Sequence, residues 1–214
     1  MKIYKITRIK VGLEGNTTNC YIIKREGTRA AVVVDPGDDA EKIQAALADM
    51  DAELAVILLT HGHYDHILAL DKIRTENTVV CLHKDELYRL EAMESIAFWR
   101  APPELWPFKK PEILLDGVQT EFSLCGYDFE VIYTPGHTEG SVCYRFGNNL
   151  FTGDTLFCRC IGRTDFAGGD PDEMKKSLRL LYDLEGDYKV YAGHMEETTL
   201  DMERKYNIGM RGFN

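Results

Sequence analysis

Three of the protein's six histidines fall in one short segment, Thr60-His61-Gly62-His63-Tyr64-Asp65-His66. The apolar run 54–59 just before it reads as a strand. In extended backbone, side chains two residues apart project to the same side, so His61 and His63 can share one metal ion. Asp65 and His66 come where the chain turns into a helix, which redirects them toward a second ion. Zinc and iron both accept imidazole nitrogen and carboxylate oxygen. Three further polar residues stand in similar places: His137 after Thr134-Pro135-Gly136, Asp154 after Thr152-Gly153, and His194 after Ala192-Gly193. A strand end beside a glycine can bend sharply and deliver one side chain to a common edge, where ligand sites of layered α/β folds lie. Taken singly, each has an ordinary explanation as a hydrogen-bonded histidine or an Asp turn. Jointly they point to a metal centre, with His83, which lacks this context, outside it.

The elements that must carry these residues follow from periodicity. Apolar alternation and β-branched runs predict strands near 2–9, 19–24, 30–34, 54–59, 78–82, 113–115, 119–124, 127–133, 141–146, 149–152 and 188–191. Helical spacing predicts helices near 38–49, capped by Asp38 or Asp39, and near 66–75, 84–97, 171–184 and 198–206. Tight Gly/Asn turns argue for mostly antiparallel pairing, with β-α-β passages in the middle and at the end. A two-sheet core flanked by helices accommodates this order. With 214 residues and no linker or repeat, one domain spanning 1–214 is expected. The segment 98–111 holds both tryptophans and four of the seven prolines, and is expected to be an ordered excursion or lid. Its Phe98, Trp99, Trp106 and Phe108 either line a pocket or join the core.

At the histidine segment the sequence resembles the metallo-β-lactamase-fold superfamily, whose His-x-His-x-Asp-His signature is matched by residues 61–66. Asn19-Cys20-Tyr21-Ile22, Val34-Asp35-Pro36-Gly37, Gly153-Asp154-Thr155-Leu156-Phe157 and the stretch from Ile161 to Asp170 are similar to the small glyoxalase II-like hydrolases of that superfamily. The resemblance implies an α/β (α+β) fold, a four-layer αββα sandwich of two mixed sheets. It also implies two zinc ions, with iron or manganese in one or both places as the alternative. His61, His63 and His137 would bind one ion, Asp65, His66 and His194 the other, and Asp154 would bridge. Bound zinc lowers the pKa of water to about 7, and two ions steady a developing oxyanion. Hydrolysis of a thioester such as an S-hydroxyacyl thiol is therefore the expected reaction, with Asp65 in the catalytic role of orienting the attacking group. Arg163 and Asp165 are expected to pair and hold the loop behind the ligands. The substrate-binding residues, the acyl group and the thiol are not identified.

Composition narrows the field. Thirty-five acidic against twenty-five basic residues give −10, which disfavours nucleic-acid binding. The N-terminus alternates charged and apolar residues and no apolar run could span a bilayer, so a soluble cytoplasmic protein acting on a small molecule is expected. The six cysteines form no Cys-x-x-Cys pair and are expected to be reduced thiols. Cys158 and Cys160, close after Asp154, are expected to be inert. The principal competing reading is an iron persulfide dioxygenase using the equivalents of His61, His137 and Asp154. Lactone or other ester hydrolysis and β-lactam hydrolysis rank lower. A purely structural metal site would normally close with four ligands, far fewer than the seven candidates.

Overall fold

The structure, a computed structural model, describes residues 3–12, 17–94, 100–117 and 120–213. Two compact units divide the chain, Met1–Leu115 with Leu124–Tyr127 and Asp116–Ser123 with Asp128–Asn214. In the first, β1 (Tyr4–Val11), β2 (Thr18–Arg25) and β3 (Ala30–Val34) form an antiparallel meander. Helix α1 (Ala40–Asp49) then crosses over to β4 (Glu53–Leu58), which runs parallel to β3. Strands β5 (Val79–His83) and β6 (Ile113–Leu115) continue in parallel, completing a six-stranded sheet in chain order. Alternate residues Ala31 and Val33 of β3, Ile57 of β4 and Val80 and Leu82 of β5 pack with Ile43 and Leu47 of α1, the pleat meeting the helical stripe. Because β3 and β4 are parallel, their C-terminal ends lie on one edge, and the loops carrying Asp35 and His61 leave from there.

Two predicted helices are shorter than expected, for identifiable reasons. The 66–75 helix is split into α2 (Tyr64–Ile67) and α3 (Leu70–Ile73). The Ala69 N–H donates to Pro36 O at 3.0 Å instead of continuing the ladder to Asp65. The predicted 84–97 helix is, over its described residues 84–94, a 3₁₀ turn, Lys84–Glu86, followed by α4 (Leu87–Glu91), while residues 95–97 lie outside the described residues. There the Leu90 carbonyl accepts the Phe108 N–H at 2.9 Å, and the chain turns extended at Ala92. Asp39 is the residue before α1, but it adopts φ 53° and makes no cap. Its carboxylate instead accepts the Gly12 N–H at 3.2 Å.

The second unit carries the order β14-β13-β10-β9-β8-β7. These are β7 (Thr120–Leu124), β8 (Tyr127–Tyr133), β9 (Val142–Phe146), β10 (Asn149–Gly153), β13 (Lys189–Ala192) and β14 (Thr198–Thr199). A small hairpin, β11 (Leu156–Phe157) with β12 (Cys160–Ile161), was not anticipated, since two-residue strands leave no periodic signal. Helix α5 (Pro171–Tyr182) starts as its sequence dictates, with Pro171 first and the Asp170 carboxylate accepting from the N–H of Asp172 and Glu173 at 2.8 and 3.0 Å. Met174, Leu178 and Leu181 on one face of α5 pack on Ile132, Leu150 and Val190 of the sheet and on Leu200 of α6 (Leu200–Tyr206). Among the described residues no helix is long and apolar enough to cross a membrane.

Of the 98–111 excursion, Phe98 and Trp99 lie outside the described residues. Trp106 packs against the core of the first unit and Phe108 belongs to it, their rings 5.1 Å apart, and Trp106 Nε1 donates to Arg89 O at 2.9 Å. For these two aromatics the core alternative holds.

Candidate metal centre

In the first unit the ligand loop is set by Asp35, at the end of β3. Asp35 is 2% exposed and has φ 52°, a strained conformation for a residue with a side chain. Its Oδ1 accepts the Thr60 N–H at 2.8 Å, and its Oδ2 accepts the Thr60 hydroxyl at 2.7 Å. The same Oδ2 lies 3.0 Å from His66 Nδ1. A carboxylate can only accept, so His66 carries its proton on Nδ1 and keeps a lone pair on Nε2. Thr60 has spent its proton on Asp35, so its oxygen accepts from His61 Nδ1 at 3.1 Å, and His61 likewise keeps a lone pair on Nε2. One buried carboxylate thus selects the ligating tautomer of two histidines, one directly and one through Thr60.

The ligand atoms have the spacing an ion requires. His61 Nε2 and His63 Nδ1 lie 3.0 Å apart. Two nitrogens bound tetrahedrally to one zinc at 2.0–2.1 Å would be about 3.3 Å apart. His66 Nε2 and Asp65 Oδ2 are 4.0 Å apart, and Asp65 Oδ2 accepts the Thr18 hydroxyl at 3.1 Å. Behind His63 lie the buried Glu86 and Arg89 and the half-buried Glu94. Burial pushes the Glu94 carboxyl up to about 7, against the opposing pull of Arg89.

In the second unit three strand ends are laced together. Thr134, after β8, and Thr155, after β10, share a hydroxyl hydrogen bond of 3.0 Å, and Gly193, after β13, donates to Gly153 O at 2.8 Å. His137 Nδ1 donates to the Arg163 carbonyl at 2.7 Å, which leaves Nε2 as its ligand atom. That Nε2 and His194 Nε2 both lie 3.4 Å from the same oxygen, Asp154 Oδ2. One carboxylate oxygen placed equally between two imidazoles suits a metal ligand. The guanidinium of Arg163 pairs bidentately with Asp165 at 2.8 and 2.7 Å, both side chains being largely exposed. The atom of Arg163 that bears on the ligands is therefore its backbone oxygen.

A glycine in each unit presses on the backbone of a ligand. A Cβ on Gly37 would lie 1.9 Å from Asp65 O, and one on Gly162 would lie 1.8 Å from Asp154 O and 3.2 Å from His137 Nδ1. Neither neighbour is a flexible side-chain tip. Gly162→Ala is expected to displace the Asp154 backbone, lower stability by about 1–3 kcal/mol, and reduce metal content, measurable by thermal melting and elemental analysis. Unchanged metal content would show that the loop can give without moving the ligand.

Among the described residues, the side chains that could hold a metal ion are His61, His63, Asp65, His66, His137, Asp154 and His194. His83 accepts the Asp85 N–H at 3.3 Å, a local capping role. All six cysteines are unpaired thiols. Burial pushes Cys81 and Cys143 up to about 12, and Cys20 and Cys160 upward as well, the direction of low reactivity. Cys160 Sγ lies 3.4 Å from the thioether of Met195.

Sequence comparison places this arrangement. The profile of the metallo-beta-lactamase superfamily matches residues 13–194, and the chain belongs to that superfamily. The chain is 34% identical to the probable polyketide biosynthesis zinc-dependent hydrolase PksB of Bacillus subtilis, over 89% of this chain and 79% of that protein. It is 33% identical to the hydroxyacylglutathione hydrolase GloC of Haemophilus influenzae, over 88% of this chain and 91% of that one. Among solved structures, the BLEG-1 B3 metallo-beta-lactamase superposes with a TM-score of 0.89 at 33% identity, covering 97% of this chain and 100% of the other. TTHA1623, solved in a di-iron-bound form, superposes with a TM-score of 0.78 at 30% identity, over 94% and 98%. The mixed α/β class with two multi-stranded sheets is that of these neighbours.

Proposed function

We propose that the chain is a two-metal hydrolase of thioesters, acting as one domain on a small S-acyl substrate of the hydroxyacyl class. His61, His63 and His137 would hold one ion and Asp65, His66 and His194 the other, with Asp154 serving as a further ligand. The observation that carries this reading is the preset tautomer of His61, His66 and His137, each with Nδ1 committed to an oxygen at 2.7–3.1 Å and Nε2 left as the ligand atom. A histidine that serves packing alone does not need that selection in three places. The family match, which spans all seven residues, and the likeness to the hydroxyacylglutathione hydrolase support the same reading.

When bound, the two ions would supply Lewis acidity at the carbonyl and a nucleophilic water deprotonated near neutral pH. The chain's own residues do the rest. Asp35 and the Arg163 carbonyl hold the imidazoles in one orientation, and Asp65, fixed by Thr18, orients the attacking water. No seryl or cysteinyl nucleophile is needed, in keeping with thiols raised by burial.

Elemental analysis of the purified chain tests this first. About two zinc ions per chain and hydrolysis of S-hydroxyacyl thiols are expected. About one iron per chain, with oxygen uptake on a persulfide, would replace the hydrolase by a dioxygenase. The structural likeness to the B3 metallo-beta-lactamase favours β-lactam hydrolysis as a second reading. A chromogenic cephalosporin belongs in the same assay, and its turnover in preference to thioesters would overturn the first reading.

A further inference from the structure

His63 is oriented differently from the other histidines of its unit. Its Nδ1 faces His61 Nε2, so its Nε2 points away, toward Glu94 Oε1 at 3.9 Å. Glu94, itself half-buried, belongs to a circuit with two buried side chains. Its Oε1 accepts Arg89 Nε at 2.9 Å, Arg89 Nη1 lies 3.5 Å from Glu86 Oε2, and Glu86 Oε2 accepts the Gly62 N–H at 2.7 Å. The series begins on Gly62 and ends on the neighbouring His63, so both ends touch the ligand loop. Glu86 and Arg89 are 0% and 1% exposed. A Cβ on Gly62 would meet Arg89 Cβ at 3.0 Å and Glu86 Oε2 at 3.1 Å, so the loop backbone lies directly on the pair.

Removing the Glu86 and Arg89 charges from water is costly, and apolar residues of similar volume often stabilise a fold as well or better. A buried pair linked to Glu94 therefore calls for a role beyond packing, and what the ends of the series face supplies one. An imidazole that binds a metal through Nδ1 carries its proton on Nε2, which needs an acceptor. Glu94 Oε2 has no hydrogen-bond partner among the described residues, so this carboxylate has accepting capacity beyond Arg89.

We propose that Glu94 is the positioning residue of His63: its carboxylate, 3.9 Å from Nε2, faces the Nε2–H side of the ring as its electrostatic partner and, through Arg89 and Glu86, fixes the ring and the Gly62 backbone in the geometry that presents Nδ1 to the first ion. This rests on the two-ion reading above. The test is the Zn²⁺ affinity of the full chain, by competition with a chromophoric chelator, together with the visible absorption of the Co²⁺-substituted protein. Wild type, Glu94→Ala and the near-isosteric Glu94→Gln are compared. Glu94→Ala is expected to weaken one of the two ions about 10–100-fold, leave the other unchanged and shift the Co²⁺ bands, with Glu94→Gln intermediate because it keeps an acceptor oxygen. A residue that serves folding alone would lower Tm and leave the ratio of the two affinities and the Co²⁺ bands as in the wild type. That result, in Glu94→Ala or, if it does not fold, in Glu94→Gln, overturns the proposal. Wild-type protein that binds no ion at all would instead overturn the two-ion reading, and this proposal with it.

Discussion

Replacing His61 and His137 together by alanine is expected to cut turnover by about three orders of magnitude or more, the equivalent of at least ~4 kcal/mol of transition-state stabilisation. Most bound metal should be lost with it. The two residues come from different units, and each is held by its own oxygen partner: Thr60 Oγ1 at 3.1 Å for His61, and the Arg163 carbonyl at 2.7 Å for His137. Neither substitution removes a hydrophobic contact of the two main cores. The double variant should therefore fold with a near-wild-type circular dichroism spectrum while losing its ions. Cys158→Ala, made in parallel, should keep both activity and metal. Full activity in the double variant would refute the ligand assignment, whatever the metal proves to be.

Asp35 should be nearly as consequential, although it touches no ion in the proposed scheme. Asp35→Ala would leave the Thr60 N–H, the Thr60 hydroxyl and His66 Nδ1 without their acceptor in a buried place, at about 1–3 kcal/mol for each unsatisfied group. Asp35→Asn is the more informative change. It preserves the volume and one acceptor oxygen, but its amide nitrogen can only donate, so it takes either the Oδ2 place, facing both the Thr60 hydroxyl and His66 Nδ1, or the Oδ1 place, facing the Thr60 N–H. If it faces His66, that ring moves its proton to Nε2, the atom meant for the second ion. Binding of that ion is expected to weaken about 10–100-fold, with only a modest change in Tm. Isothermal titration with Zn²⁺ would separate the two sites. Two ions bound with wild-type affinity would mean that Asp35 is needed for folding and not for the tautomer.

Most of the strand ladder was legible because it rests on period-2 patterning of Val, Ile and Leu, which burial enforces directly. Helix ends were less legible, since they depend on partners distant in sequence. The 66–75 helix breaks where Pro36 O captures the Ala69 N–H, and the 84–97 helix stops where the Phe108 N–H takes the Leu90 carbonyl. The cap expected of Asp39 failed for a similar reason, its carboxylate being engaged by the Gly12 N–H across 27 positions. The candidate ligands stood out because metal chemistry restricts residue type and strand ends restrict position. Their supports did not: Glu86, Arg89 and Glu94 are common residue types with no periodic or motif signature. Asp35 carried a faint signal in Val34-Asp35-Pro36-Gly37, but the motif named no role for it.

The order of residue types alone carries the inventory of chemistry: which residues can ligate, that they follow short strands, and that the strands and helices alternate as a layered α/β chain requires. Which nitrogen of each ring is available depends on the folded chain. Sequence cannot specify that choice, because it depends on single acceptor atoms from elsewhere in the chain, such as the Asp35 carboxylate at 3.0 Å from His66 and the Arg163 carbonyl at 2.7 Å from His137. Only folding brings those atoms within hydrogen-bond distance, and a shift of about 1 Å would remove the selection.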